Sequence, residues 1–151
     1  MRDTENETEA LGYHLHKTFA ALTEALNGEL RALGLKLTHP QFAIIQAVGR
    51  RPGLSQNDLA RETGKDSAAI SRSLACLENQ GLIRRVGING CTKGVYLTPR
   101  AEELRPLMEE AVHKTIERAC MGLQPGEVQT GIKILQNIFS TLQADDTGGK
   151  P

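Results

Sequence analysis

The sequence predicts a mainly α fold with one small β-hairpin. Three observations predict it. Apolar residues recur at helical spacing over most of the 151 residues. Most of these stretches open on a capping residue or proline and close on glycine or proline. After Gly81 the period changes from helix to strand, and two strand-like runs flank a glycine-containing turn.

A chain of this length makes one domain, or a small domain with helical additions. Hydrophobic residues make up 39% of it, enough for a core, and with no Trp, two Tyr and three Phe that core is aliphatic. No apolar run reaches the length of a membrane span. The acidic start RDTENETEA lacks the basic-then-apolar form of a signal peptide, so the expected location is cytoplasmic. Cys76, Cys91 and Cys120 are odd in number and form no C-x-x-C, which points to free thiols and away from a disulfide scaffold or a zinc ribbon.

The elements follow in order. Leu11, Leu15, Phe19, Leu22, Leu26, Leu30 and Leu33 line one face of a long first helix that ends at Gly34. Thr38-His39-Pro40-Gln41 has the form of a capping box, and the helix behind it carries Phe42, Ile45 and Val48 before Arg50-Arg51-Pro52-Gly53 closes it. Ser55-Gln56-Asn57-Asp58 caps a short helix that stops at Thr63-Gly64. Asp66 or Ser67 caps the next, Ala68 to about Gln80, with Gly81 at its end. Residues 82–86 and 94–98 read as strands around a turn at 87–93. Thr98-Pro99 starts a long helix with Leu104, Leu107, Met108, Val112 and Ile116 on one side, broken at Gly122. Pro125 starts the last helix, with Val128, Ile132, Leu135, Phe139 and Leu142 as its stripe, widened by Ile134 and Ile138. The first few residues and 144–151 read as disordered.

The helix after Asp66 is unusual. At 100° per residue Ile70, Leu74 and Leu77 fall on one side, and Ala68, Ser71, Arg72, Ala75 and Asn79 fall opposite. An ordinary solvated face is rich in Glu and Lys. This one is small and polar with a single cationic fork, which suits a helix pressed against a groove. Arg72 can offer two parallel donors to a guanine edge or grip a phosphate. The short helix before it has Ala60 where two helices would cross, and Thr63-Gly64 makes the tight turn. Residues 55–80 therefore read as a helix-turn-helix, and the hairpin as a wing whose Arg84, Arg85 and Lys93 reach phosphates or the minor groove.

Charge agrees in its distribution, because the net charge is zero. From Arg50 to Arg100 there are nine Lys and Arg against four acids, and Lys65 lies in the turn before the candidate reading helix. The rest of the chain holds nine bases against fourteen acids. A basic middle between acidic flanks fits a polyanion touched by the middle alone.

The run LTHPQFAIIQAV…GLSQNDLARETGKDSAAISRSLACLENQGLIRR…VYLTPRAEEL resembles the MarR family of bacterial winged helix-turn-helix regulators, from about Leu37 to Leu104. The resemblance implies a repressor that binds a palindromic operator in double-stranded DNA as a homodimer and is released by a small aromatic or lipophilic effector. It places Ser67, Ala68, Ser71 and Arg72 on the recognition helix, Gln56 and Asn57 at the start of the supporting helix, and Lys93 on the wing. It divides the chain into an N-terminal dimerisation helix (1–36), a winged helix-turn-helix lobe (37–98), C-terminal dimerisation helices (99–143) and the tail (144–151). The wing departs from the family. Family wings run Arg-x-x-x-x-x-Asp-x-Arg, the Asp bracing the tip Arg. Here RRVGINGCTKGVYLT is about two residues shorter and has no acid, so the wing is expected to be more mobile when free.

The outer helices carry apolar stripes that a lobe of about seventy residues cannot cover. Leu11, Leu15, Phe19, Ile132, Leu135 and Phe139 are the expected dimer contacts. Cys76 on the recognition helix and Cys91 on the wing tip are candidate oxidation sites, which leaves a thiol-based redox regulator as an alternative. A winged-helix protein-interaction module with weak DNA binding is another. His39, His113, Glu109 and Glu117 fall where some family members hold zinc, but there is no His-x-x-x-His pair and zinc is not expected. No Gly-rich phosphate loop, G-x-S-x-G elbow or placed carboxylate pair suggests an enzyme.

Overall fold

The computed structural model describes the backbone of residues 2–147 and the side chains of residues 6–144. The element order is α1 (Arg2–Ala32), α2 (His39–Arg50), α3 (Gln56–Thr63), α4 (Ser67–Asn79), β1 (Ile83–Asn89), β2 (Thr92–Leu97), α5 (Pro99–Cys120) and α6 (Pro125–Thr147). This is the mainly α architecture with one hairpin that the sequence predicts. The chain divides into two compact units, Met1–Thr115 and Ile116–Pro151.

In the first unit the predicted caps form. The Thr38 hydroxyl accepts from Gln41 N at 3.4 Å while the Gln41 side chain accepts from Thr38 N at 3.0 Å. Ser55 and Asp58 close the second box, at 3.1 and 2.9 Å. These bonds satisfy N–H groups that a helix start leaves without partners. Asp66, not Ser67, caps α4, its carboxylate accepting from Ala69 N at 2.7 Å.

Two helices end in the same way. After α1, Leu35 N bonds Leu30 O at 3.0 Å and Gly34 N bonds Arg31 O at 2.9 Å. After α4, Leu82 N bonds Leu77 O at 3.0 Å and Gly81 N bonds Glu78 O at 2.9 Å. This is the Schellman arrangement, and its glycines take φ of +76° and +68°. Each clasp brings together two leucines that are almost fully buried, Leu30 with Leu35 and Leu77 with Leu82. A Cβ on Gly81 would meet only the end of Arg100, at 3.8 Å, so the penalty of a side chain there is conformational. Gly81→Ala should destabilise the protein by about 1–2 kcal/mol. Urea unfolding checks it: the midpoint should fall with the slope unchanged.

The core lies in the first unit. Ile44, Ile45, Val48, Leu59, Ile70, Leu74, Leu77, Leu82, Val95 and Met108 pack together, joined by Leu30, Leu35, Leu37, Phe42 and Ala101. α2 is buried on more than the single face read from Phe42, Ile45 and Val48, because Ile44 and Ala47 are buried too. α5 continues through Pro106 and buries Ala101, Met108, Ala111 and Thr115. Leu107 and Ile116, expected on the same stripe, remain 43% and 47% exposed.

Three expectations are corrected. α1 begins at Arg2, where disorder was expected. Acidic residues at the start complement the helix dipole, and nothing between them and Gly34 breaks the helix. α6 runs to Thr147, so the backbone of 144–147 is helical; the remainder of the expected tail, 148–151, lies outside the described residues. The hairpin is longer than predicted and its turn far shorter. Asn89 pairs with Thr92, leaving only Gly90 and Cys91 at the tip. Gly90 takes φ +51° at the first central position, where a II′ turn requires glycine. Ile88 is the extra residue of a bulge between Gly87 and Asn89.

In the second unit, Ile132, Leu135, Phe139 and Leu142 of α6 are 44%, 52%, 66% and 64% exposed.

Candidate nucleic-acid interface

α4 is held at both ends. At its start, Gln56 Nε2 donates to both Ser67 O and Ser67 Oγ at 3.0 Å, tying the first residue of α3 to the first of α4. The turn between them uses Gly64 at φ +66°. At its end, Arg100 Nη1 donates to Gln80 O at 2.5 Å, the Thr98 hydroxyl donates to Gly81 O at 2.6 Å, and Gln80 Nε2 reaches Lys36 O at 3.2 Å. A helix fixed in this way presents its outer face without ordering costs on contact.

That outer face is as the wheel predicted. Ile70, Leu74 and Leu77 are buried, and Ala68, Ser71, Arg72, Ala75 and Asn79 are exposed. Arg72 makes no hydrogen bond or ion pair among the described residues. It rims a groove of about 360 Å³ with Lys65, Ser73 and the Thr38–Gln41 helix start.

The cations sort into two groups. Arg50 and Arg51 pair with Glu62, Arg61 with Asp58, and Arg100 with the backbone at the end of α4. Asp58 sits below the ordinary carboxylate range, chiefly because the Ser55 hydroxyl and backbone N–H donate to it and secondarily through Arg61. Lys65, Arg72 and Lys93 have no such partner among the described residues. Arg84 lies over the Tyr96 ring at 5.1 Å, a cation–π contact that orients its fork and leaves its donors exposed. The usable positive charge is thus narrower than the count between Arg50 and Arg100, and it lies on α4, the turn before it and the wing.

Arg85, expected from the sequence to reach a phosphate, is engaged within the protein in this structure. Its Nη2 donates to Glu78 Oε2 at 2.5 Å, and the pair is about a third exposed. The guanidinium's hydrogen bond holds Glu78 below the usual glutamate range, with Lys93 adding to the attraction, and Arg85 is raised in return. A depressed carboxylate contributes stability above its unfolded-state value and loses it as the pH falls through the folded-state value, so this pair opens only in acid. The hairpin therefore has an acidic brace, supplied by α4 and not by the hairpin itself. The sequence reading missed Glu78, though a signal existed: it is the one acid between Asp66 and Glu102. Arg100 and Gln80, which hold the end of α4, were missed because their contacts depend on long-range packing.

The hairpin stem is stapled to the α2–α3 loop. Gly53 N bonds Val95 O and Val95 N bonds Leu54 O, each at 2.9 Å. Gly53, at φ +88°, and Gly94 allow Tyr96 to lie close; a Cβ on Gly94 would stand 3.1 Å from Gly53 O. Arg85, Lys93, Cys91, Asn57 and Gln56 line a cleft of about 330 Å³ between wing and helices. Among the predicted contacts, Asn57, Lys65, Ser67, Ala68, Ser71, Arg72, Arg84 and Lys93 are exposed, and Gln56 and Arg85 are half-buried and engaged within the protein.

Cys91 is exposed at the wing tip, and Cys76 is half-buried, its sulfur 3.6 Å from Gln80 Nε2. His39 meets the Phe19 ring edge-on at 5.2 Å. No group of three or more His, Cys, Asp and Glu suited to a metal ion occurs among the described residues. Of the expected dimer residues on α1, Leu11 and Phe19 are 47% and 55% exposed and Leu15 is half-buried.

Comparison with known proteins places this geometry. Residues 33–88 match the profile of the MarR family. The chain is 28% identical over 132 residues to the HTH-type transcriptional repressor Rv2887 of Mycobacterium tuberculosis, covering 86% of this chain and 94% of that one. The crystal structure of Rv2887 in complex with salicylic acid matches with a TM-score of 0.65 at 28% identity, over 85% of this chain and 95% of that one. A MarR transcriptional regulator from Methanosarcina mazei Go1 matches with a TM-score of 0.80 over 90% of this chain and 91% of that one; at 17% identity this likeness bears on the fold alone.

Proposed function

The chain belongs to the MarR family of transcriptional regulators, and from that premise we propose that it is a repressor that binds a palindromic operator as a homodimer and is released by a small aromatic or lipophilic effector. It acts in the cytoplasm by binding, not by catalysis. The observation that carries the reading is the outer face of α4: small residues around an unpartnered Arg72, on a helix pinned at both ends. Small side chains let the backbone approach the groove floor, and the arginine fork suits a guanine edge.

The homodimer is supported by the apolar residues left exposed on α1 and α6, among them Phe19, Leu135 and Phe139. Pairing two copies would cover them and set two recognition helices about one duplex turn apart, roughly 34 Å. Effector release is supported by the relative solved with salicylic acid. Salicylate titrated into the protein–DNA complex is the first trial, and release at concentrations that leave the fold intact is the expected result.

The test of duplex binding is its salt dependence. Affinity should fall steeply and log-linearly with salt as counterions return to the phosphates. Lys93→Ala should weaken binding to all sequences alike and lower the slope by about one. Binding that ignores salt would favour the protein-interaction reading instead.

A further inference from the structure

The hairpin Ile83–Leu97 carries Arg84, Arg85 and Lys93 and no acid of its own. Its backbone is stapled to the rest of the protein at the stem, through Val95 with Gly53 and Leu54. Beyond the stem, Val86 and Ile88 are 40% and 53% exposed and give the outer half little apolar support. The Arg85–Glu78 pair is the charged contact that joins this hairpin to α4.

We propose that Glu78 is the positioning residue of the wing: by holding Arg85 against the end of the recognition helix, it sets the register between the wing's phosphate contacts and the base-reading face around Arg72. The strand pairing makes this work. Arg85 stands opposite Val95, and Gly87 opposite Lys93, so Arg85 and Lys93 are diagonal neighbours on one face of the hairpin. That face lines the same cleft as Leu74 of α4. Arg84 projects from the other face, over Tyr96. One carboxylate on α4 therefore holds the inner face of the wing through Arg85, the diagonal neighbour of Lys93, and Arg85 is kept from the phosphates that would otherwise attract it.

The inference rests on the duplex-binding reading, and it gives a result that simple charge counting, which tightens selected and random duplex alike, does not. Removing an acid near DNA should only tighten binding. If Glu78 positions the wing, its loss instead lowers discrimination. The test compares Glu78→Gln, Arg85→Gln and the double variant with the parent protein. Amide exchange in the absence of DNA should speed up across residues 84–93 in each single variant and no further in the double, with the amides of α2 unchanged. Binding of Glu78→Gln to random duplex should tighten and become more salt-dependent, because Arg85 is released. The ratio of affinities for a selected over a random duplex should fall about fivefold, the scale of a partly exposed ion pair. An unchanged exchange rate in the wing, or a preserved ratio, overturns the proposal. So does faster exchange spread equally over α2 and α4, which would make the pair a stability element only. The exchange measurement uses no DNA, so it judges the pair even if the parent fails to discriminate between duplexes, a result that would remove the functional reading instead.

Discussion

Arg72→Ala should lower the affinity of the proposed dimer for its proposed operator by about 1–3 kcal/mol, roughly 5- to 150-fold, and much less for random duplex. The expectation follows from position. Arg72 is exposed, makes no hydrogen bond or ion pair among the described residues, and sits on the face that also presents Ala68, Ser71 and Ala75. Its helix cannot shift to compensate, because Gln56 holds one end and Arg100, Thr98 and Gln80 hold the other. If Arg72 is a bidentate donor to a base, its removal from a fixed helix would leave the base edge without a partner, and the penalty would fall on one position of each half-site. Competition with duplexes substituted base by base checks this. An equal loss on every sequence would make Arg72 a phosphate contact, and no loss would remove α4 as the reading helix.

Leu77→Ala should destabilise the protein by about 2–5 kcal/mol. Leu77 is fully buried and lies in the core that joins α2, α4 and the hairpin. It also provides the carbonyl that receives Leu82 N across the turn after α4, against an equally buried Leu82. Truncation leaves a cavity and loosens the clasp between α4 and the hairpin together. Chemical unfolding measures the loss, and on a chain of this size the melting temperature should drop by about 2–4 °C for each kcal/mol. A loss below about 1 kcal/mol would show that the core collapses around the gap.

Much of this fold is legible in the sequence because its signals are local. The Thr38 and Ser55 caps, the glycine ends at Gly34 and Gly81 and the two faces of α4 depend on residues within a few positions of one another. The hairpin is harder to delimit. Gly87, Gly90 and Gly94 look like turn residues, yet Gly87 and Gly94 lie inside strands, where Gly94 makes room for Gly53 O and Tyr96. The site is legible in outline and less so in its partners. Arg72 and Lys93 are exposed as the sequence predicts, whereas Arg85, which reads as a DNA contact, is held by Glu78 seven residues earlier. Such pairings depend on how Gly81 turns the chain, which composition does not encode. The charge count has the same weakness, because it includes cations that pair with Glu62 and Asp58.

The most direct test of the central claim is selection of bound sites from a randomised duplex library by the protein. The expected product is an inverted repeat whose half-sites lie about one helical turn apart, roughly 10–10.5 base pairs between centres, with a guanine whose enrichment disappears when Arg72→Ala is used for the selection. Recovery of unenriched sequence, or of a single half-site without symmetry, would contradict a dimer that reads DNA through α4.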